Sequence, residues 1–307
     1  MNHYRSLDEI NLPCSWLTVG VFDGVHRGHQ QIIHRLVEGA HEKNLPAVVI
    51  TFDPHPSKVF GRGEIKLLTL PDERAEILGD MGVDVVITHP FNRDVANLTA
   101  FDFMQRLKSH IGLDRLILGY DSALGKDREG NIPRLTEIGG ELGYAVETVP
   151  AVSDESGVIS STAIRKLIAV GKVEEAAKLM GRPYRLQGIV IRGDQRGRTI
   201  GFPTANLDYS VDKLIPAGGI YACWAYLGDQ KHKAAVNIGT NPTFTPDKKT
   251  MSVEAYLLDF DRDIYDETLQ LEFVSRLRDE LTFDSVDALV TQISKDVEVV
   301  RQTLDED

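Results

Sequence analysis

Trp16-Leu17-Thr18-Val19-Gly20-Val21-Phe22-Asp23-Gly24-Val25-His26-Arg27-Gly28-His29 reads as a strand, a tight turn and the start of a helix. The apolar run 16–22 predicts a buried strand, and Asp23-Gly24 closes it. Beyond Gly28, Ile32, Ile33, Leu36, Val37 and Ala40 fall at the spacing of one helical face. The same alternation continues: residues 47–52, 83–88 and 115–118 read as strands, and 71–80 and 100–109 as helices. Apolar strands alternating with helices predict an α/β fold, a Rossmann-like parallel sheet covered on both faces. Helices over 161–170 and 173–180 end at Gly171 and Gly181, with Pro183 beyond.

After Pro183 the texture changes. Residues 184–192, 221–227, 233–238, 253–260 and 269–277 read as short strands without long helices between them, which predicts an antiparallel β-barrel or sandwich. One terminal helix follows, its face carried by Val286, Leu289, Val290, Ile293, Val297 and Val300. Asp284 and Asp287 are the expected N-terminal capping acids. The expected division is therefore 1–182 and 183–307.

Composition narrows the function classes. Acidic residues outnumber Lys and Arg by 46 to 34, a net −12 that argues against a nucleic-acid backbone as partner. Only Cys14 and Cys223 are present, far apart, so no disulfide framework is expected. The first residues lack the apolar core of a signal peptide, and no apolar run approaches the ~20 residues that span a bilayer. A cytoplasmic protein without a membrane partner is the expectation; the oligomeric state is unknown from sequence.

Three strand-end elements of the first half carry chemistry. His26 and His29, three apart at a helix start, direct both rings to one side, where free backbone N–H groups already favour anions. Such a pair can hold the phosphate oxygens of a nucleoside triphosphate while a nucleophile attacks the α-phosphorus. Taken alone, HxxH is as readily two surface histidines beside a turn. Ile159-Ser160-Ser161-Thr162-Ala163-Ile164-Arg165 is either an ordinary capped helix or hydroxyls beside a planar phosphate clamp. Thr51-Phe52-Asp53-Pro54-His55-Pro56 is a proline-stiffened turn around a histidine. His34 and His41 are expected to face solvent.

In this order and spacing, the three elements resemble the adenylyltransferase half of bacterial bifunctional riboflavin kinase/FAD synthetases. The resemblance implies that His26, His29, Ser161, Thr162 and Arg165 bind ATP phosphates, with Gly20, Phe22 and Gly28 completing the nucleotide site. It implies an FMN-acceptor region at His55, Asp121 and Arg128. One stretch departs from the family pattern: Ser122 and Leu124 stand where two aromatics are usual. A stacking surface for the flavin ring is therefore expected to be missing or rebuilt.

In the second half, residues 193–206 contain no Walker loop, and their glycines and arginines are either a hairpin or a flap over phosphates. Thr204 and Asn206 offer neutral oxygens suited to Mg²⁺. Glu254 sits in an alternating strand, where a carboxylate either faces solvent or takes a proton from a hydroxyl. These stretches, with Gly219-Ile220-Tyr221, residues 237–244, 259–265 and 273–283, resemble riboflavin kinase. The resemblance implies Mg²⁺-ATP held by Thr204 and Asn206, a nucleotide site lined by Gly193, Arg198 and Tyr265, Glu254 as base, and flavin contacts from Arg278 and Phe283. Asp266 stands where glycine is usual, and Ala255-Tyr256 where a histidine is common.

The expected enzyme phosphorylates riboflavin to FMN and adenylylates FMN to FAD, with ATP as co-substrate of both steps. Competing expectations are a riboflavin kinase whose first half has a changed or weakened acceptor, and a non-catalytic flavin-binding protein. A cytidylyltransferase-like enzyme would leave the second half unexplained.

Overall fold

The computed structural model describes residues 1–61, 63–155, 157–193, 196–240 and 251–305. Its contacts separate two compact units, Met1–Ser161 and Thr162–Asp307.

The first unit is built on β1 (Asn2–Tyr4), β2 (Ser15–Val19), β3 (Ala47–Asp53), β4 (Val85–Pro90), β5 (Leu113–Gly119) and β6 (Ala145–Val149). They form one six-stranded sheet in the order β1-β4-β3-β2-β5-β6, every pair parallel. Strand residues alternate between two cores. Leu17, Val48, Ile50, Leu116 and Leu118 face α3 (Ala100–Ile111) and α4 (Ile132–Leu142). Trp16, Val49, Val86 and Ile117 face α1 (Arg27–Glu42) and α2 (Pro71–Asp80). Burial on both faces is why these strands carry apolar runs rather than alternation.

Three of these ten strands and helices escape sequence inspection. β1 is too short to show a period. β6 is a sheet edge, and its residues are mostly half-buried or exposed, so its sequence is mixed. α4 contains Gly139-Gly140, which reads as a breaker. A Cβ at Gly139 would lie 2.5 Å from the Tyr144 carbonyl, so the glycine lets the chain turn back against its own helix.

The second unit begins with α5 (Ser161–Ala169, its first residue still in the first unit) and α6 (Val173–Met180). Then come β7 (Tyr184–Ile191), β8 (Ala205–Tyr209), β9 (Gly219–Leu227), β10 (Gln230–Thr240), β11 (Met251–Leu257) and β12 (Thr268–Arg278). They close into a barrel in the order β8-β11-β10-β9-β12-β7, all neighbours antiparallel. Tyr184, Leu186, Tyr221, Val236, Ala255 and Phe273 fill its interior, and the alternate residues face outward. β8 is absent from the sequence expectation because Asn206 and Asp208 break its apolar content.

Glu174 of α6 accepts from the Ser275 hydroxyl (2.6 Å) and the Arg276 amide (3.1 Å), fastening α6 to β12. The terminal helix, α7 (Val286–Asp305), packs Val300 and Leu304 on Ala222 and Leu258. Arg301 grips Asp259 bidentately at 2.6 Å. The expected cap at Asp284 is corrected: the Ser285 hydroxyl accepts from the Ala288 amide at 3.2 Å, because the helix starts one residue later.

Asp266 has φ +64°, a left-handed conformation that costs an L-residue energy and glycine nothing. Asp266→Gly is therefore expected to raise barrel stability by up to about 1 kcal/mol. Urea unfolding monitored on the full chain checks this, and an unchanged or lower midpoint would contradict the strain.

Candidate active sites

In the first unit the strand order reverses between β2 and β5, and a crevice opens beyond their carboxyl ends. Both edges of that crevice carry site residues: Gly20–His26 after β2, and the loop 120–131 after β5.

The turn after β2 is strained. Phe22 (φ +49°) and Val25 (φ +37°) are non-glycine residues at positive φ, flanking Gly24 at +82°. A β-branched residue holds such a backbone only where its surroundings over-determine it. Here they do. The buried Asp23 carboxylate accepts from the Leu68 (3.0 Å) and Thr69 (2.9 Å) amides, and Gly24 N–H donates to the Thr69 hydroxyl. Thr51 donates to the Val21 carbonyl, and Ser161 to the Asp23 carbonyl at 2.8 Å.

His26 caps α1, its Nδ1 accepting from the His29 backbone N–H at 3.4 Å. With Nδ1 used as an acceptor, the neutral ring carries its proton on Nε2 and presents a donor. The His26 and His29 rings stack with centroids 3.6 Å apart and planes 20° from parallel, so both lie at one place. A Cβ at Gly28 would come within 3.2 Å of the His26 ring. Gly28 thus makes space for the imidazole. Phe22 meets His29 edge-on at 5.2 Å, and Gly20 lies against the Phe22 ring.

Gly20 also borders a cleft of about 660 Å³ that brings together His55, Asp121 and Arg128 with Phe52, Phe60 and Phe91. His55 Nδ1 accepts from the Ser57 amide at 3.1 Å, leaving Nε2 as its donor. Arg128, at φ +60°, donates to the Asp121 carbonyl at 3.0 Å. Ser122 and Leu124 line the same cleft, but aromatic surface is not absent from it. Phe60 and Phe91 meet edge-on at 5.9 Å, and Phe52 and Phe91 at 5.2 Å. These rings come from other segments, so the local motif could not reveal them. Thr162 and Arg165 lie in the first two turns of α5. His34 and His41 are exposed, as expected, His41 pairing with Asp84 at 2.8 Å.

The second unit gathers its residues differently. Cross-strand pairing places Asn206 opposite Glu254, Glu254 opposite Asn237, Asn237 opposite Ile220, and Ile220 opposite Arg278. One lateral row on the outer face thus crosses β8, β11, β10, β9 and β12. Neighbours in such a row sit about 5 Å apart.

One cleft, about 310 Å³, opens on this row and is lined by Thr204, Glu254, Asn237, Arg278, Phe283 and Asp296, among others. A second, about 320 Å³, includes Arg198, Thr204, Phe260 and Tyr265 and none of the row's residues. Thr204 belongs to both, and its hydroxyl donates to Glu254 Oε2 at 3.3 Å. A Cβ at Gly193 would lie 2.4 Å from the Asn206 amide, so the glycine makes room for that side chain.

Sequence inspection missed Asp296. This buried carboxylate of α7 accepts from Arg278 Nε at 3.0 Å and again from Nη2, and from Gln292 at 2.9 Å. Arg278 therefore spends part of its fork on the terminal helix while lining the cleft. The motif residues 241–244 lie outside the described residues.

A switch-point crevice with stacked histidines, joined in one chain to a barrel carrying a carboxylate beside neutral oxygen donors, defines a nucleotide-using transferase with two sites. The FAD synthetase family model matches residues 9–163, and the riboflavin kinase model residues 180–304. The chain is similar to the bifunctional riboflavin kinase/FMN adenylyltransferase of Listeria monocytogenes, 38% identical over 303 residues, covering 98% of this chain and 96% of that one. The Bacillus subtilis protein of the same description is 35% identical over 92% of this chain and 90% of its own. A crystal structure from Streptococcus pneumoniae described as a macrolide-efflux protein superposes with TM-score 0.89 at 35% identity, covering 98% of both chains. Among the described residues, no helix is long and apolar enough to cross a membrane. The chain belongs to the bifunctional riboflavin kinase/FMN adenylyltransferase family.

Proposed function

We propose that this chain phosphorylates the primary hydroxyl of riboflavin with ATP in the barrel, and adenylylates the resulting FMN with a second ATP at the switch-point crevice. The observation that carries the kinase assignment is Thr204, shared by two clefts and bonded to Glu254. A nucleotide in the Arg198–Tyr265 cleft and an acceptor in the Arg278–Phe283 cleft meet there. Glu254 is the base that takes the hydroxyl proton. Because attack on phosphorus is in-line, the protein contributes positioning and electrostatics rather than a covalent intermediate.

The donor set fits Mg²⁺. Thr204 and Asn206 supply neutral oxygens beside Glu254, the hard ligands such a cation prefers. With two neutral ligands from the chain, the remaining coordination of such an ion would come from nucleotide phosphates and water. When bound, it draws charge from the transferring phosphoryl group.

In the first unit His26 and His29 donate to phosphate oxygens as charge builds on them, with Gly20, Phe22 and Gly28 shaping the crevice. The family resemblance assigns Ser161, Thr162 and Arg165 to ATP binding in the adenylyltransferase, which we assign to residues 1–182, with the kinase at 183–307. His55, Asp121 and Arg128 form the FMN side, and Phe60 and Phe91 supply the ring surface that Ser122 and Leu124 do not. Phe60→Ala is expected to weaken FMN binding by about 1 kcal/mol. Titration of the full chain with FMN checks it, and unchanged affinity would remove Phe60 from the flavin site. Free Cys14 and Cys223 support a reducing, cytoplasmic location.

Incubating the protein with riboflavin, ATP and Mg²⁺, and resolving riboflavin, FMN and FAD by chromatography, tests the whole assignment. FMN followed by FAD is the expected course, and neither should form without Mg²⁺. FMN that never converts to FAD would favour a kinase with a changed first half. No product at all would favour a non-catalytic flavin binder.

A further inference from the structure

We infer that Asn237 binds the secondary hydroxyls of the acceptor's ribityl chain and thereby fixes the primary hydroxyl at Glu254. This rests on the kinase assignment above and gives Asn237, the first residue of the 237–244 stretch, a specific role.

The placement follows from the row across the barrel. Interior residues Ala234, Val236 and Ile238 are fully buried, so Asn237 projects from the opposite face of β10. Its partner on β11 is Glu254, and its partner on β9 is Ile220. All three line the same cleft. The cleft is also lined by Leu281, Phe283, Leu289 and Ile293, beside Arg278, Glu280 and Asp296, and its apolar part suits a flat aromatic ring. An acceptor with its reacting hydroxyl at Glu254 and its ring against this wall must lay its connecting chain over Asn237, one strand spacing from the base.

The chemistry of the side chain matches that stretch of substrate. Each ribityl hydroxyl both donates and accepts, and an amide offers a carbonyl acceptor and two N–H donors. Glu254 can only accept when ionised, and Ile220 offers neither. The row's other amide, Asn206, lies on the far side of Glu254 and does not line this cleft, so between Glu254 and Ile220 it is Asn237 that can read a polyol from both sides. A polar residue on a half-buried wall is costly unless it is hydrogen-bonded, and the bound polyol meets that requirement.

The experiment compares riboflavin with 7,8-dimethyl-10-(5-hydroxypentyl)isoalloxazine, which keeps the dimethylated ring and primary hydroxyl but lacks the secondary hydroxyls. In the full chain, Asn237→Ala should lower the ratio of kcat/KM for riboflavin over the analogue by about tenfold, as for loss of one buried hydrogen bond. Asn237→Ser, which keeps a shorter donor and acceptor, should recover part of that ratio. Fluorescence titration of both flavins against each variant reports the same preference in binding, and circular dichroism melting verifies folding. A ratio unchanged from wild type in both measurements overturns the inference. Wild-type protein that phosphorylates neither acceptor refutes the kinase assignment instead, while the binding ratio still decides whether Asn237 reads the polyol.

Discussion

Glu254→Gln is expected to slow conversion of riboflavin to FMN by about 10²–10⁴-fold, the usual cost of removing a general base. The substitution is conservative in shape. Glutamine keeps a side-chain oxygen to accept the Thr204 hydroxyl, now 3.3 Å from Glu254 Oε2, and leaves the barrel interior untouched. What it lacks is the capacity to take the acceptor's proton. FAD formation from supplied FMN should persist, because the proposed adenylylation groups lie elsewhere in the chain. Chromatographic rates for both half-reactions measure the two effects side by side. A folded mutant that phosphorylates riboflavin at near the wild-type rate would remove Glu254 as base, and one that loses both activities would contradict separate sites.

His29→Ala is expected to do the reverse, lowering FAD formation by about 10²–10³-fold through loss of a transition-state donor. His29 lends its backbone amide to the His26 cap, and alanine retains that amide. The ring's stacking on His26 at 3.6 Å and its edge contact with Phe22 are lost, so folding should be followed by circular dichroism. Riboflavin phosphorylation gives an internal control. If FAD forms at the wild-type rate in the folded mutant, the stacked histidines are a helix-capping device and no more.

The two sites differ in how visible they are from sequence. His26 and His29 are legible because chemistry and local geometry coincide: a strand end, a tight turn and a helix start fit within one contiguous stretch. Even there the strain at Phe22 and Val25 is not legible, since it depends on Asp23 reaching Leu68 and Thr69. The expected shortage of aromatic surface came from inspecting residues 119–130 alone. Phe60 and Phe91 reach the cleft from other strand ends.

By itself the sequence determined the alternation of strands and helices and the change of texture after Pro183, and it singled out His26, His29, Thr204 and Glu254 as candidates. Those features are written in short-range periodicity and in motifs whose parts are neighbours along the chain. Only the tertiary structure decided which distant residues share a site. Asn206, Glu254, Asn237, Ile220 and Arg278 span more than seventy positions, and they form a row because barrel closure sets the register of five strands. Arg278 lines the cleft with part of its fork already held by Asp296 on the terminal helix. Strand register and helix docking follow from burial of the whole barrel interior, a property that no single stretch of sequence carries.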